Sequence, residues 1–214
     1  MKKFLNAILA ICLALFVIGS SVIITMNIKS IYYNDIDKLN IESMSNLSRE
    51  DIIENYDYLI DYNLSWKADE FELPSLPSSH NGKIHFEEVR DIFQNVKTLT
   101  IITGIISIIG GIIQIRKKEF KFLRNSSILI IVMPVLLAIP IAINFNACFI
   151  MFHKIMFSND YWIFNPEIDP VINMLPETFF MHMGVAILAI MLICSIVLQL
   201  IYRKLKTINY DNLK

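Results

Sequence analysis

The sequence contains four histidines, whose side chains titrate nearest to neutral pH, and two of them stand in patterns suited to proton transfer. His85 is followed three residues later by Glu88, which on a helix shares its face and would accept a hydrogen bond from one ring nitrogen. His153 is flanked at steps of four residues by Phe149 and Phe157. A titratable imidazole among aromatic rings, between two apolar segments, indicates acid–base chemistry on a lipid.

Each histidine also has a simpler interpretation that the spacing leaves open. His85 with Glu88 is compatible with a solvated pair on an exposed helix, and His153 with an anchor at a helix end. His80 lies in a Ser/Asn/Gly turn and is expected to face solvent. His182 stands at the mouth of an apolar segment, where such a residue more often marks the membrane interface than lines a site.

The elements that must position these residues are membrane-spanning helices. Apolar residues make up 55% of the 214-residue chain, which is too many for one water-soluble core. Segments of about 20 apolar residues are long enough to cross a bilayer, and four such segments occur. They are Phe4 to Met26, Leu99 to Ile115, Ile128 to Phe145 and Phe179 to Tyr202. The first is too long for a cleaved signal sequence and is expected to be retained.

Basic residues indicate how the four helices are oriented. They cluster before the first segment, between the second and third, and after the fourth, and positive loops stay cytoplasmic. The stretch 28–97 carries a clear excess of acids instead. Both termini are therefore expected inside the cell, and all four histidines outside.

Between the first two segments the sequence predicts a small, mostly helical cap. Ser48 is a candidate N-cap for a helix that continues to Asn63. Residues 71–73 alternate like a short strand. From Ile84 an apolar pattern continues without proline or glycine as far as the second span, so one unbroken helix is expected to enter that span.

The predicted fold is thus an all-α integral membrane protein with four transmembrane helices and a small, mostly helical extracellular cap. The predicted divisions are 1–27 (first span), 28–97 (cap), 98–115 (second span), 116–127 (basic loop), 128–146 (third span), 147–178 (interfacial loop), 179–202 (fourth span) and 203–214 (tail).

Several kinds of chemistry have no support in the sequence. It contains no Gly-x-Ser-x-Gly elbow, no His-Glu-x-x-His helix, no phosphate-binding glycine loop and no basic aromatic patch for nucleic acid. The three cysteines lie in or beside predicted spans, which disfavours a disulfide framework. A metal site built from His85, His153 and a carboxylate has no supporting spacing, so no cofactor or metal is expected.

Two separated motifs resemble one family. The second outer loop contains Phe152-His153-x-Ile155-x-Phe157-Ser158-Asn159-Asp160-x-Trp162, then Asn165-Pro166-Glu167-x-Asp169 and Leu175-Pro176-Glu177-x-Phe179-Phe180. The first contains His85-Phe86-Glu87-Glu88-Val89-Arg90, similar to a His-x-x-acid-Val-basic motif. Together with the four-span plan, they resemble the bacterial lipoprotein intramolecular transacylases.

The resemblance implies a reaction and a location. Members of that family move an acyl chain from the glycerol 2-position of a diacylglyceryl-cysteine lipoprotein to the amino group of the same cysteine, giving a lyso-form lipoprotein. The expected partners are a diacylated bacterial lipoprotein and membrane lipid, with no nucleic acid. The expected location is the bacterial cell membrane, with the active site on the extracellular side.

The resemblance also implies the residues of the site. His85 and His153 are the expected catalytic residues, one as base and the other polarising or orienting the ester. Glu88 would orient His85, and the aromatic residues would flank the acyl chains. The expected substrate-binding residues are Glu88, Arg90, Phe157, Asn159, Asp160, Tyr161 and Trp162. Two alternatives remain open: a membrane lipid hydrolase or metalloenzyme, and a non-enzymatic membrane sensor or assembly protein.

Overall fold

A computed structural model describes residues 2–67 and 70–211, apart from the side chains of Lys2 and Leu137. These residues form eight α-helices, one 3₁₀ helix and no strand. The α-helices are α1 (Lys2–Asn27), α2 (Ser30–Lys38), α3 (Ile41–Ser45), α4 (Arg49–Leu64), α5 (His80–Arg116), α6 (Lys121–Ile143), α7 (Phe145–Met156) and α8 (Glu177–Asp211). The 3₁₀ helix is Pro170–Met174.

Four of these helices are long and apolar enough to cross a bilayer: α1, α5, α6 and α8. The 37 residues of α5 and the 35 of α8 exceed the roughly 20 that a span requires, so both helices continue beyond the apolar stretch. The expected all-α, four-span membrane fold is confirmed. The unbroken helix expected from Ile84 is also present, although α5 begins four residues earlier, at His80.

The chain divides into two compact units. The first comprises Met1–Ile23, Val96–Ile143 and Ala186–Lys214. Small residues let its helices approach closely, since a Cβ on Gly104 would lie 2.9 Å from the Phe16 ring. Serines join the helices as well: Ser126 Oγ donates to the Ala10 carbonyl at 3.1 Å, and Ser195 Oγ to the Ser127 carbonyl at 2.7 Å. These contacts satisfy polar groups within an apolar bundle.

The second unit comprises Ile24–Asn95 and Asn144–Val185 and is built around aromatic rings. Tyr32 and Tyr56 stack with ring centroids 3.8 Å apart, and Phe179 meets both rings edge-on. The Tyr32 hydroxyl donates to the Met174 carbonyl at 2.7 Å, which fastens the 3₁₀ helix to α2. Burial raises the pKa of the Tyr32 and Tyr56 hydroxyls, so both stay neutral.

Local sequence signals account for how α4 begins. Ser48 accepts a hydrogen bond from the Asp51 amide at 3.1 Å, as expected of an N-cap. The short strand predicted at 71–73 is wrong, because this stretch lies in a loop. Phe71 and Leu73 are buried and Glu72 is exposed, so the alternation comes from packing against the aromatic core and not from pairing with a strand.

The start of α5 is tied to the segment that precedes the 3₁₀ helix. Asp169, which is buried, accepts hydrogen bonds from the Ser79 amide at 2.7 Å and from the Ser79 hydroxyl at 2.8 Å. Ser79 Oγ in turn accepts from the Gly82 amide at 3.0 Å, which satisfies a free N–H of the first turn. This junction fixes the helix two turns before His85.

Candidate active site

The structure brings His85 and His153 together inside the second unit. His85 lies on the second turn of α5, before its apolar stretch, and His153 lies near the end of α7. Their ring centroids are 6.0 Å apart and the side chains are 5% and 9% exposed. Residues 68 positions apart in sequence therefore form one buried pair of imidazoles.

Aromatic rings enclose this pair. The Phe157 ring lies 4.7 Å and the Phe164 ring 5.4 Å from the His85 ring. On the other side, Phe149 and Trp162 lie 4.2 Å and 4.7 Å from the His153 ring. The surroundings exclude water and lower the local dielectric, which strengthens electrostatic interactions with a bound substrate.

The hydrogen bonds assign different tasks to the two imidazoles. His153 Nδ1 lies 2.7 Å from the Phe149 carbonyl, which can only accept, so Nδ1 carries the hydrogen and Nε2 carries the free lone pair. His85 Nδ1 is buried and has no hydrogen-bond partner among the residues that the structure describes. One ring is thus held in a fixed tautomer, while the other offers an unused polar atom.

Burial keeps both imidazoles neutral at physiological pH. The pKa of His85 falls from its ordinary 6.5 to about 4, chiefly through desolvation and then through the charge of nearby His153. The pKa of His153 is also lowered by burial, against the opposing effect of the hydrogen bond to Phe149. A neutral imidazole is the form that can accept a proton.

Glu88 does not orient His85 as expected from the spacing. Its Oε1 accepts a hydrogen bond from the Asn159 side-chain amide at 2.8 Å, while Oε2 is buried and has no partner within 2–67 and 70–211. Asn159 Oδ1 accepts from the Tyr161 amide at 3.0 Å, so the loop after α7 is anchored to α5. The carboxylate is therefore held from one side only.

Two cavities lie in the second unit, and neither is lined by His85 or His153. The larger, of about 500 Å³, is lined by Glu88, Asp91, Ile92, Asn95 and residues 154–158, including Phe157. The smaller, of about 340 Å³, contains Asp160 and Tyr161 together with residues of the α5 start. Glu88, Phe157, Asp160 and Tyr161 thus line one cavity or the other, whereas Arg90, Asn159 and Trp162 line neither.

Arg90 points away from both imidazoles. Its Nη2 donates to the Ser65 carbonyl at 3.0 Å, and its guanidinium lies 5.6 Å from the centroid of the Tyr62 ring. These contacts connect α5 to the end of α4. Nη2 is thus engaged within the protein, while Nε is buried and has no partner among the described residues.

A second histidine pairing was not predicted from the sequence. His182 Nδ1 lies 2.8 Å from Asp35 Oδ2, and the Asp35 side chain is only 3% exposed. Polar residues are spread along α2, and their pattern did not indicate that Asp35 faces the core. The only available signal was that Tyr32 and Ile36, which neighbour Asp35 on the helix face, are apolar.

The described part of the chain brings together no three His, Cys, Asp or Glu side chains as metal ligands. The site presents neutral imidazole nitrogens, the Glu88 carboxylate with one oxygen hydrogen-bonded, and surrounding aromatic rings. Four helices long and apolar enough to cross a bilayer, with this histidine-bearing unit, define a multi-pass membrane protein.

Comparisons with known proteins give the family. Residues 7–180 match the family of the lipoprotein intramolecular transacylase Lit. The chain belongs to that family and is a membrane acyltransferase. No curated protein sequence matches it significantly.

Solved structures agree over the whole chain. The membrane integral lipoprotein intramolecular transacylase Lit from Bacillus cereus matches with a TM-score of 0.94 at 39% identity, covering 100% of this chain and 99% of that one. A form of the same protein with an H85R mutation matches with a TM-score of 0.91 at 39% identity, covering 99% and 95%. A form with an H85A mutation matches with 0.90 at 39% identity, covering 100% and 96%.

Proposed function

We propose that this transacylase moves an acyl chain from the glycerol 2-position of a diacylglyceryl-cysteine lipoprotein to the α-amino group of the same cysteine. The product is a lyso-form lipoprotein with an N-acylated terminus. The observation that carries the proposal is the pair of buried, neutral imidazoles 6.0 Å apart among aromatic rings, in a chain of this family.

The substrate itself supplies much of what the reaction needs. Nucleophile and ester are already joined in one molecule, so holding them in contact can contribute on the order of 7 to 11 kcal/mol. An amide is more stable than the ester it replaces, so no activated donor is required. The protein must position the two groups and move a proton.

One proton moves from the amine to the leaving glycerol oxygen. An α-amino group has a pKa of about 7.7 to 8.0, so its neutral fraction is available near neutral pH. The nitrogen lone pair forms the C–N bond while the carbonyl electron pair moves onto oxygen. One amine proton passes to a histidine. The pair on oxygen then reforms the carbonyl as the C–O bond breaks, and the glycerol oxygen leaves with that proton.

We assign the base to His153 and an orienting role to His85. The Phe149 carbonyl fixes the His153 tautomer with Nε2 free to accept the amine proton and return it to the glycerol oxygen. The unpartnered Nδ1 of His85 is suited to hydrogen-bond the ester. Solved forms of the Bacillus cereus protein include an H85R and an H85A mutation, each of which replaces a histidine.

The surrounding residues would bind the rest of the substrate. Glu88 offers a buried acceptor to the amino group from the wall of the larger cavity, with Asn159 holding its other oxygen. Phe157 and Trp162 would flank the acyl chains, and Asp160 and Tyr161, in the smaller cavity, would contact the lipoprotein backbone. In this assignment Arg90 supports α5 and does not touch substrate.

We place this site on the extracellular face of the bacterial cell membrane. The support is the distribution of charge, because the end of α5, the start of α6 and the loop between them carry five basic residues that mark this side as cytoplasmic: Arg116, Lys117, Lys118, Lys121 and Arg124. The segments that bear the histidines then lie outside, where membrane lipid and lipoproteins meet. Cysteine labelling at Ser158 and at Glu119 with a membrane-impermeant thiol reagent, in a chain freed of its own cysteines, tests the assignment.

The reaction is tested with purified protein in lipid and a synthetic diacylated lipopeptide. Because the conversion is an isomerisation, the intact mass does not change and fragment spectra must locate the acyl chain. N-acylated lyso-lipopeptide is the expected product. Release of free fatty acid would indicate a hydrolase, and an unchanged lipopeptide would contradict the proposal.

A further inference from the structure

The indole N–H of Trp162 is an unused hydrogen-bond donor inside the site. The Trp162 ring lies 4.7 Å from the His153 ring at an angle of 31°. Its Nε1 is buried from solvent and has no acceptor in the described ranges 2–67 and 70–211. A buried tryptophan N–H normally finds a partner, and leaving one without an acceptor is destabilising.

The chemistry calls for a donor at this place. When an amine attacks an ester, negative charge develops on the carbonyl oxygen, and a preorganised donor in a water-poor site stabilises it. Arg90 Nε and His85 Nδ1 are also without partners among the described residues, whereas two other side-chain donors near the site are engaged within the protein. The Asn159 amide bonds to Glu88, and Nη2 of Arg90 bonds to the Ser65 carbonyl.

We propose that Trp162 is a further catalytic residue, whose indole N–H binds the carbonyl oxygen of the ester as it becomes an oxyanion. The inference rests on the transacylase function proposed above. The amine nitrogen forms its bond to the carbonyl carbon beside His153, and the displaced electron pair settles on the oxygen that Trp162 holds. When the C–O bond to glycerol breaks, that pair returns to the carbonyl and the N–H is free for the next substrate.

Packing against the His153 ring is the competing role, and it makes a different prediction. If Trp162 only supports the histidine or lines the acyl chains, the aromatic ring matters and the N–H does not. Trp162→Phe keeps an apolar ring and removes the donor. Since that donor has no partner in the free protein, its loss should not lower the free energy of unfolding through a broken hydrogen bond.

The test measures kcat and KM for a diacylated lipopeptide with wild type, Trp162→Phe and the control Trp66→Phe. Trp66 is the only other tryptophan and its side chain is 58% exposed. We expect kcat of Trp162→Phe to fall about 10²- to 10³-fold, as for loss of an oxyanion donor, with KM changed much less. Trp66→Phe should keep the wild-type kcat. Thermal unfolding with and without lipopeptide identifies any variant that misfolds.

A second substrate keeps the test independent of packing. In a thionoester lipopeptide, sulfur replaces the carbonyl oxygen and accepts hydrogen bonds poorly. Wild type should prefer the ester, and in Trp162→Phe the ratio of the two rates should move toward that of the uncatalysed reactions. Active wild type with a Trp162→Phe variant of unchanged kcat, or of unchanged rate ratio, would overturn the role of Trp162. Inactive wild type would overturn the proposed function instead.

Discussion

The second unit contains two histidine pairings. In one the polar atoms have hydrogen-bond partners, whereas around the other several buried polar atoms do not. His182 and Asp35 satisfy each other at 2.8 Å, and the carboxylate has its partner inside the protein. Around His85 and His153, buried polar atoms remain without partners in the described chain: His85 Nδ1, Glu88 Oε2 and Trp162 Nε1. The first arrangement holds elements together, whereas the second has unmet hydrogen-bonding capacity that a substrate would satisfy.

Whether the neighbouring polar atoms have partners distinguishes a structural histidine from a functional one. A histidine whose partner is part of the fold contributes to stability, and its loss leaves an orphaned group behind. A histidine with free polar atoms around it costs stability, which the fold retains only where binding or catalysis uses those atoms. The two pairings should therefore respond oppositely in measurements of rate and of stability.

The largest expected effect is on rate at the first pairing. His85→Asn and His153→Asn should each lower the rate of N-acylation by about 10² to 10⁴, the usual contribution of a positioned acid–base group. Fragment spectra of the lipopeptide over time give the rate, with thermal unfolding as the check on folding. Normal N-acylation by either variant would remove that histidine from the mechanism.

The next effect is on stability as pH falls. The pKa of His85 is about 4 in the fold and 6.5 ordinarily, so between these values the unfolded chain binds the proton more tightly. The free energy of unfolding is unaffected above pH 6.5 and falls as pH drops toward 4, by about 3 kcal/mol in all.

Replacing the imidazole isolates this contribution. His85→Gln should lose the corresponding part of the acid sensitivity, measured as the difference between the two unfolding curves at pH 4.5 and pH 7. If wild type and His85→Gln become less stable in parallel over that interval, His85 does not titrate as its burial requires.

A smaller effect is expected at the second pairing, and on stability alone. His182→Ala leaves the Asp35 carboxylate buried without its partner, which should cost about 1 to 3 kcal/mol in the free energy of unfolding. The rate per folded molecule should stay near that of wild type. A loss of rate as large as that of His153→Asn would erase the distinction between the pairings.

The smallest expected effect is on KM, through the hydrogen bond that Asn159 donates to Glu88. Asn159→Ala removes the hydrogen bond to Oε1 and should raise KM by less than about tenfold, the equivalent of one ordinary hydrogen bond, with little change in kcat. Steady-state kinetics with the lipopeptide measures it. A kcat lowered as much as KM is raised would mean that Asn159 acts on the reacting groups themselves.

The fold follows from signals that lie along the chain. Apolar runs of sufficient length predict the four spans, the absence of proline and glycine between Ile84 and the second span predicts an unbroken α5, and Ser48 marks the start of α4. Each depends on neighbours in sequence. The strand predicted at 71–73 was wrong for the same reason, since a loop packed on a core shows the same alternation.

The site depends on contacts between distant residues, which spacing does not reveal. The family motifs identified His85 and His153, but not that the Phe149 carbonyl fixes one tautomer or that Glu88 bonds to Asn159 instead of His85. The partner of Asp35 lies 147 residues away. Which polar atoms remain unpartnered becomes known only when all neighbours are placed.

Chemical rescue tests the central claim most directly. His153→Gly removes the base and leaves space beside the Trp162 ring, and added imidazole can then take its place. We expect N-acylation of the lipopeptide by His153→Gly to rise with imidazole concentration and to saturate, while His182→Gly does not respond. N-acylation by His153→Gly at the wild-type rate without imidazole would contradict proton transfer by this histidine.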